Sequence, residues 1–343
     1  MKTYHLVDMM NCYFRMTYRA SMGDDPQERV GMALHLAMSS INYAVQRFNV
    51  DHVVIALEGR SWRKDFYAPY KKNRNHGTEG LTEEEIEEKQ LYRDAYDDLV
   101  SYFKDKTNVS VLRAPQGEAD DIIARFIHLH PNDKIIIDST DSDYDQLISD
   151  RVHRYDGVQD RLIKLDGYFD SKDKPIIDNK TGTYKVFADP KYILFEKTIR
   201  GDSSDNVFSA YPGVRAKGTK NKVGIIQAFD DMTNKGFNWN NFMNQTWLDH
   251  EQVQHKVKDD YERNVKLIDL DAQPQDIKDH VDSSISENIV KPVVSQTGIH
   301  FMRFCNKYDL VRLMEKSSTF IKWLNAPYTG ELNGTTNDSK ADN

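Results

Sequence analysis

The chain has 343 residues, enough to bury a large core and to build two domains or one elaborated domain. Apolar residues make up 39% and their runs stay strand-sized, which excludes a membrane-spanning helix; two distant cysteines, Cys12 and Cys305, exclude a disulfide framework and a thiolate zinc site and fit a reducing cytoplasm. A formal charge of -8 excludes a uniformly basic nucleic-acid-binding surface, so where the charge lies matters more than its sum.

The first strand-like run, Tyr4-His-Leu-Val7, ends in Asp8 with no basic or hydrophobic leader before it, so no export signal is expected. Pro26 and Glu28 open a long helix to about Phe48, with Met32, Leu36, Ser39 and Tyr43 along one side. His52 to Leu57 is a second buried strand ending in Glu58, and Val109 to Leu112 a third. Pro115-Gln-Gly-Glu118-Ala-Asp120-Asp121 then opens a helix through Ile122, Ile123, Phe126 and Ile127. In Lys134-Ile-Ile-Ile-Asp138 three consecutive isoleucines indicate a fourth strand buried on both faces. Strands alternating with helices at this spacing predict an α/β fold with a mostly parallel central sheet flanked by helices. Acids at the ends of the first, second and fourth strands collect at the sheet edge where ligands bind.

Between Arg60 and Tyr102 lies an insertion, basic and aromatic from Arg60 to Arg74, acidic and helix-forming around Glu83 to Glu88; the acidic part reads as a solvated helix face. After Asp150 come two short strand-like runs, a hairpin turning at Asp178 to Gly182, and a helix from Tyr192 to Ile199 that stops at Gly201. Gly201-Asp202-Ser-Ser-Asp205-Asn206 and the basic, glycine-containing turn Tyr211 to Lys222 lead into a helix over 223–229. The rest is helical to about Tyr328, and the polar stretch from Thr329 is expected to be disordered. The expected division is an α/β domain over 1–188 with the insertion at about 60–102, a helical domain over 189–328, and a tail over 329–343.

Asp141-x-Asp143-x-Asp145 invites a calcium-loop reading, but Gln146 and Val152 stand where a glycine and a glutamate are required. Gly213 to Gly218 fails as a phosphate-binding loop because Thr219 and Lys220 are in reverse order and no strand precedes them; His128, His130, His250 and His255 lack zinc-site spacing. What remains is an oxygen-only set from separate segments: Asp8, Glu58, Glu118, Asp120, Asp121, Asp141, Asp143, Asp202 and Asp205. Carboxylates without imidazole or thiolate select hard cations, two Mg²⁺ or Mn²⁺, and two such ions roughly 4 Å apart serve in-line displacement at phosphorus. Setting these nine acids aside moves the formal charge from -8 to +1, which removes the objection to a DNA substrate. Glu118 and Asp121 share a helix face; Asp120 joins them only if the helix begins irregularly there. Lys71 and Arg74 are candidate catalytic cations for a scissile phosphate. Trp62, Phe66, Tyr67 and Tyr70 either stack on unpaired bases or pack at the base of the insertion. Arg215, Lys217, Lys220 and Lys222 are placed to grip duplex phosphates, the alternative being a solvated basic loop.

Asp8, Trp62-Arg-Lys-Asp-Phe66 leading to Tyr70-Lys71-x-Asn73-Arg74, Gly117-Glu118-Ala-Asp120-Asp121, Asp138-x-x-Asp141-x-Asp143 and Gly201-Asp202-x-x-Asp205-Asn206 occur in this order over roughly residues 4 to 270. Together they resemble the flap endonuclease family of 5′-nucleases, and within it the bacteriophage ribonuclease H type. The resemblance implies a helical arch over the active site, a helix-three-turn-helix for duplex DNA at about 201–229, and two-metal 5′ to 3′ cleavage of RNA or DNA, with water as nucleophile and 5′-phosphate and 3′-hydroxyl products. It implies that Asp8, Glu118, Asp120 and Asp141 form one metal group, that Asp143, Asp202 and Asp205 form the second, and that Asp121 lies next to both. Glu58 departs from the family, which usually has aspartate there. Arg63, Lys64, Tyr70 and Lys72 join Arg215 to Lys222 as expected DNA-binding residues, with a monovalent cation (K⁺) at the duplex-binding turn. The expected protein is a cytoplasmic monomer removing RNA primers or 5′ flaps from DNA or RNA/DNA duplexes, with single-strand-binding protein and a sliding clamp as candidate partners and no membrane. The rival readings are a non-catalytic DNA-junction-binding protein of the same fold and a small-substrate phosphoesterase.

Overall fold

The computed structural model describes residues 1–20, 25–76 and 80–333. Its first half runs β1 (Thr3–Asp8), α1 (Met9–Ala20), α2 (Pro26–Phe48), β2 (His52–Leu57), α3 (Arg63–Phe66), α4 (Glu83–Lys106), β3 (Ser110–Arg113), α5 (Ala119–Leu129), β4 (Lys134–Asp138) and β5 (Val152–Asp156). Strands β3-β2-β1-β4-β5 are parallel, and β6 (Arg161–Lys164) and β7 (Gly167–Phe169) extend the sheet antiparallel. The winding goes from β1 out to β3 and then returns to the other side of β1, so the strand order reverses between β1 and β4, the position where open α/β sheets place their ligands. Register aligns the strand ends there: Val7 pairs with Ile55 on one side and Asp138 on the other.

Alternate residues of the central strands feed two cores because helices cover both faces. Val7, Val53, Ile55 and Leu57 pack with α1, α2 and α4, whereas Leu6, Val54, Ala56, Ile135 and Ile137 pack with α5. Asp25 caps α2 ahead of Pro26, and Thr82 and Glu85 form a reciprocal capping box that starts α4. Such caps contribute about 1 kcal/mol each. The acidic run is the exposed start of α4, as expected, but the same helix continues into the core through Tyr96, Leu99 and Phe103. Residues 77–79 of the expected arch insertion lie outside the described residues.

Beyond the sheet come α6 (Pro190–Arg200), α7 (Ile225–Asp230), α8 (Phe237–Met243), a small β8–β9 hairpin (Thr246–Leu248, Gln254–Lys256) and α9 (Val257–Ile268), around a third core of Phe195, Ile199, Ile225 and Phe242. The last helices, α10 (Gln275–Asn288), α11 (Thr297–Lys307), α12 (Val311–Glu315) and α13 (Ser317–Leu324), do not extend that module. Val281 and Ile285 of α10 pack on α5, and Phe301, Phe320 and Trp323 join the core of α1, α2 and α4. The expected helical unit over 189–328 is therefore two pieces, since amphipathic helices bury their apolar stripe on whichever surface offers one. The tail also begins later than expected: Leu332 packs on the α5 core and the Asn333 N–H donates to Leu129 O at 3.0 Å. Residues 334–343 lie outside the described set. Among the described residues no helix is long and apolar enough to cross a membrane.

Candidate active site

A cleft of ≈ 400 Å³ opens at the β1/β4 edge, lined among others by Asp8, Glu58, Lys71, Arg74, Glu118, Asp120, Asp141, Asp143 and Asp205. Asp8 ends β1 and accepts hydrogen bonds from the Asn11 N–H and the Tyr144 hydroxyl, both at 3.1 Å. Glu58, one residue past β2, accepts from the Ala119 N–H at 3.2 Å, so its longer side chain reaches the N-terminus of α5. Glu118 caps α5 from outside, and Asp120 lies in its first turn. Asp141 opens the 3-10 turn Ser142–Leu147 and is held there by its neighbours: the Asn11 side chain accepts from Thr140 N–H at 3.0 Å, and Ser139 Oγ accepts from Asp141 N–H at 3.1 Å.

Carboxylate oxygens of Asp143, Asp202 and Asp205 come within 4.8 Å of one another, as do those of Glu118, Asp120 and Asp121. Burial opposes ionisation of Asp202, but hydrogen bonds from Lys197 and Ser204 hold it below the usual carboxylate range, whereas burial and the neighbouring Asp141 raise Asp143. Burial, reinforced by the charges of Asp8 and Glu118, pushes Glu58 up to about 7. Burial also raises Asp8, and it raises Asp120 well above the usual range despite Arg63. Glu118 goes the other way: burial opposes its ionisation, but Lys71 and Arg63 outweigh burial and hold it down at about 2. An all-oxygen set in which burial raises Asp8, Glu58, Asp120 and Asp143 is the donor chemistry hard divalent cations neutralise, and in this respect the residues fit such ions.

Lys71 and Arg74 stand at the cleft as expected. The Lys71 ammonium contacts Glu118 and lies 3.6 Å from Asp205, and Arg74 pairs with Asp205. Lys71 has φ of 52°, a left-handed conformation that costs a residue with a Cβ about 1 kcal/mol or more, and its N–H donates to Asp205 O at 2.8 Å. The backbone is thus clamped where it delivers the ammonium to the acids.

Three expected roles change on inspection of their partners. Asp121 is fully buried, and its carboxylate accepts from Arg63 at 2.9 and 3.0 Å, Trp62 Nε1 at 3.2 Å, Gln273 at 2.8 Å and the Glu118 N–H at 3.0 Å. Its lone pairs are committed to protein donors, so it supports Glu118 instead of facing the cleft. Arg63, expected on DNA, is fully buried against Asp121, Glu118 and the Leu267 carbonyl. Tyr70, likewise expected on DNA, is 3% exposed, and its hydroxyl lies 3.1 Å from Glu118 and 2.9 Å from Asp205, joining the two acid groups. Trp62 also packs, while Lys64, Lys72, Arg215, Lys217, Lys220 and Lys222 are exposed. The last four surround a turn closed so tightly that a Cβ on Gly218 would lie 2.0 Å from Gln227 Oε1.

Lys197 escaped the sequence reading. Its ammonium contacts Asp143 and lies 2.9 Å from Asp202. The available signal was its position in α6, just over one helical turn before the Gly201-Asp202 motif.

Residues 3–180 match the family model described as 5′-3′ exonuclease, N-terminal resolvase-like domain. The chain belongs to the 5′-3′ exonuclease family. Over 278 residues it is 24% identical to the ribonuclease H of Enterobacteria phage T4, covering 75% of this chain and 78% of that one. It is 28% identical over 182 residues to the DNA polymerase I of Rhizobium leguminosarum, covering 52% of this chain but spanning only 15% of the polymerase. The crystal structure of the bacteriophage T5 D15 flap endonuclease variant in a pseudo-enzyme-product complex with DNA and metal ions has the same fold, at a TM-score of 0.56 and 22% identity over 83% of this chain and 98% of that one. Membership thus rests on the half of the chain that carries Asp8, Glu58, Glu118, Asp120, Asp141 and Asp143.

Proposed function

We propose that this 5′-3′ exonuclease family member is a metal-dependent, structure-specific 5′-nuclease, cleaving RNA or DNA strands near single-strand/duplex junctions and removing RNA primers or 5′ flaps during replication. The observation that carries the reading is the convergence of carboxylates from five separate segments on one cleft with Lys71 and Arg74. Two divalent ions flanking a scissile phosphate would stabilise its attacking and leaving oxygens, and the cleft offers carboxylates suited to hold them beside two positive side chains. Asp8, Glu58, Glu118, Asp120 and Asp141 would hold one divalent ion, and Asp143, Asp202 and Asp205 a second. Bound Mg²⁺ or Mn²⁺ would supply Lewis acidity and charge neutralisation for in-line attack by water.

The chain's own residues do the rest. Lys71 and Arg74 draw a phosphate to the acids and offset its charge, and Tyr70 holds Glu118 and Asp205 in fixed relation. Arg215, Lys217, Lys220 and Lys222 hold duplex phosphates on a glycine-shaped turn that also suits a K⁺ ion. DNA is the proposed partner, alongside RNA/DNA hybrids; a monomer working in the cytoplasm, with replication proteins as further partners, completes the reading. Incubation with a labelled 5′-flap duplex and an RNA/DNA hybrid tests it. Mg²⁺-dependent products carrying 5′-phosphate, absent with chelator, are expected, and intact substrates with Mg²⁺ and Mn²⁺ alike would overturn it.

A further inference from the structure

The two acid groups differ in the cations that already touch them. Among the described residues Asp8, Glu58 and Asp141 form no ion pair and Asp120 has only Arg63 at 3.8 Å, so that Glu118, which meets Lys71 and lies 2.9 Å from Arg63, is the one closely paired member of its group. Every member of the other group is paired. Lys197 bridges Asp143 and Asp202, and Asp205 meets Arg74 and Lys71. The Lys197 ammonium comes from α6, whose Phe195 and Ile199 are buried in the third core, so the helix that carries it is fixed. The side chain itself retains 23% of its exposure, and Asp143, which lines the cleft, the same, so the pair does not lie in a sealed interior. A divalent ion shared by Asp143, Asp202 and Asp205 would need the oxygens that this ammonium contacts. A cation held within 4 Å of that ion repels it, and release of the ammonium forfeits two charge-assisted hydrogen bonds.

We propose that Lys197 is the built-in counter-cation of the Asp143–Asp202–Asp205 group, competing with a divalent ion for Asp143 and Asp202 and so making this group the weaker of the two metal sites. The inference rests on the two-metal reading above and adds a residue that sets the difference between its sites. Lys197 acts through the acids and is a positioning residue. Its length matters: a glutamine keeps most of the stem and loses the charge, a methionine keeps the stem's packing, and an arginine keeps the charge.

The test is Mn²⁺ binding to the DNA-free protein, with free Mn²⁺ followed by electron paramagnetic resonance and folding checked by circular dichroism and Tm. Wild type is expected to show a tight and a weak ion. In Lys197→Gln and Lys197→Met the weak ion tightens by roughly ten-fold or more while the tight one is unchanged. Lys197→Arg stays near wild type. Asp202→Asn, alone or with Lys197→Gln, removes the ion that moved. Folded Lys197→Gln and Lys197→Met proteins whose weak ion binds as in wild type would overturn the role of Lys197 and leave the two-metal reading standing. Absence of any bound Mn²⁺ in wild type and variants alike would overturn that reading and this one together.

Discussion

The open cleft and the buried knot behind it are made of the same residue types, yet they do opposite work. In the knot, Arg63 and Asp121 saturate each other, with Trp62, Gln273 and the Glu118 N–H taking the remaining acceptor positions. In the cleft, Asp8, Glu58, Asp120 and Asp141 receive few donors and no close ammonium among the described residues. Glu118, at the cap of α5, belongs to both: it lines the cleft, yet its carboxylate accepts from Ser61, Arg63, Tyr70 and Lys71. A carboxylate's role is thus read from how many of its lone pairs the protein has already used. A saturated acid stabilises the fold, and an under-coordinated one strains it until a ligand arrives.

The contrast is broken most severely by Asp143→Asn. It keeps the shape and removes one charge from the cleft, so single-turnover cleavage of a 5′-flap substrate should fall by roughly 10³-fold or more. DNA affinity measured with Ca²⁺ should change little, and wild-type cleavage would remove Asp143 from the site. Arg63→Met attacks the knot. It leaves Asp121 and part of Glu118 buried without a counter-charge and should cost about 3–5 kcal/mol in urea unfolding. Adding Asp121→Leu should recover part of that loss, because a buried charge with no partner costs more than a buried apolar pair; additive losses would refute the pairing. Lys71→Ala should slow the chemical step by roughly 10²-fold, since it removes the cation while the alanine Cβ leaves the left-handed backbone as it was. Equal single-turnover rates would exclude Lys71 from charge neutralisation.

The sheet was legible because its strands are buried on both faces and therefore read as continuous apolar runs; β1, β2 and β4 all end where their acids predict. The proximity of Asp143, Asp202 and Asp205, whose carboxylate oxygens come within 4.8 Å of one another, followed from the family resemblance and not from their spacing in the chain. Arg63, Tyr70 and Asp121 were not. A basic, aromatic insertion looks the same in sequence whether its side chains face solvent or turn inward, and only Asp121 and Glu118, brought from 55 or more residues away, decide that Arg63 is buried. The C-terminal helices were misassigned for a related reason. Their amphipathic pattern demands a partner surface but does not say which one, and the surface they cover belongs to the α/β body.

The smallest effect, and the one that tests the strain in the cleft directly, concerns Glu58. Its carboxyl is pushed up to about 7 from an ordinary 4.5, so between those values the folded protein binds more protons than the unfolded chain. In chelator-treated protein, the contribution of Glu58 is therefore fully present below about pH 4.5 and is lost as pH rises through about 7. The expected loss is roughly 3 kcal/mol. Glu58→Gln cannot ionise, and at pH 8 it should be more stable than wild type by that amount while matching it near pH 4.5. Saturating Mg²⁺ should erase much of the difference by stabilising the ionised wild-type side chain and raising its Tm at pH 8. Parallel stability profiles for the two proteins from pH 4.5 to 8 would mean that the cleft carries no such strain, and Glu58 would then belong with Asp121 among the acids the fold has already satisfied.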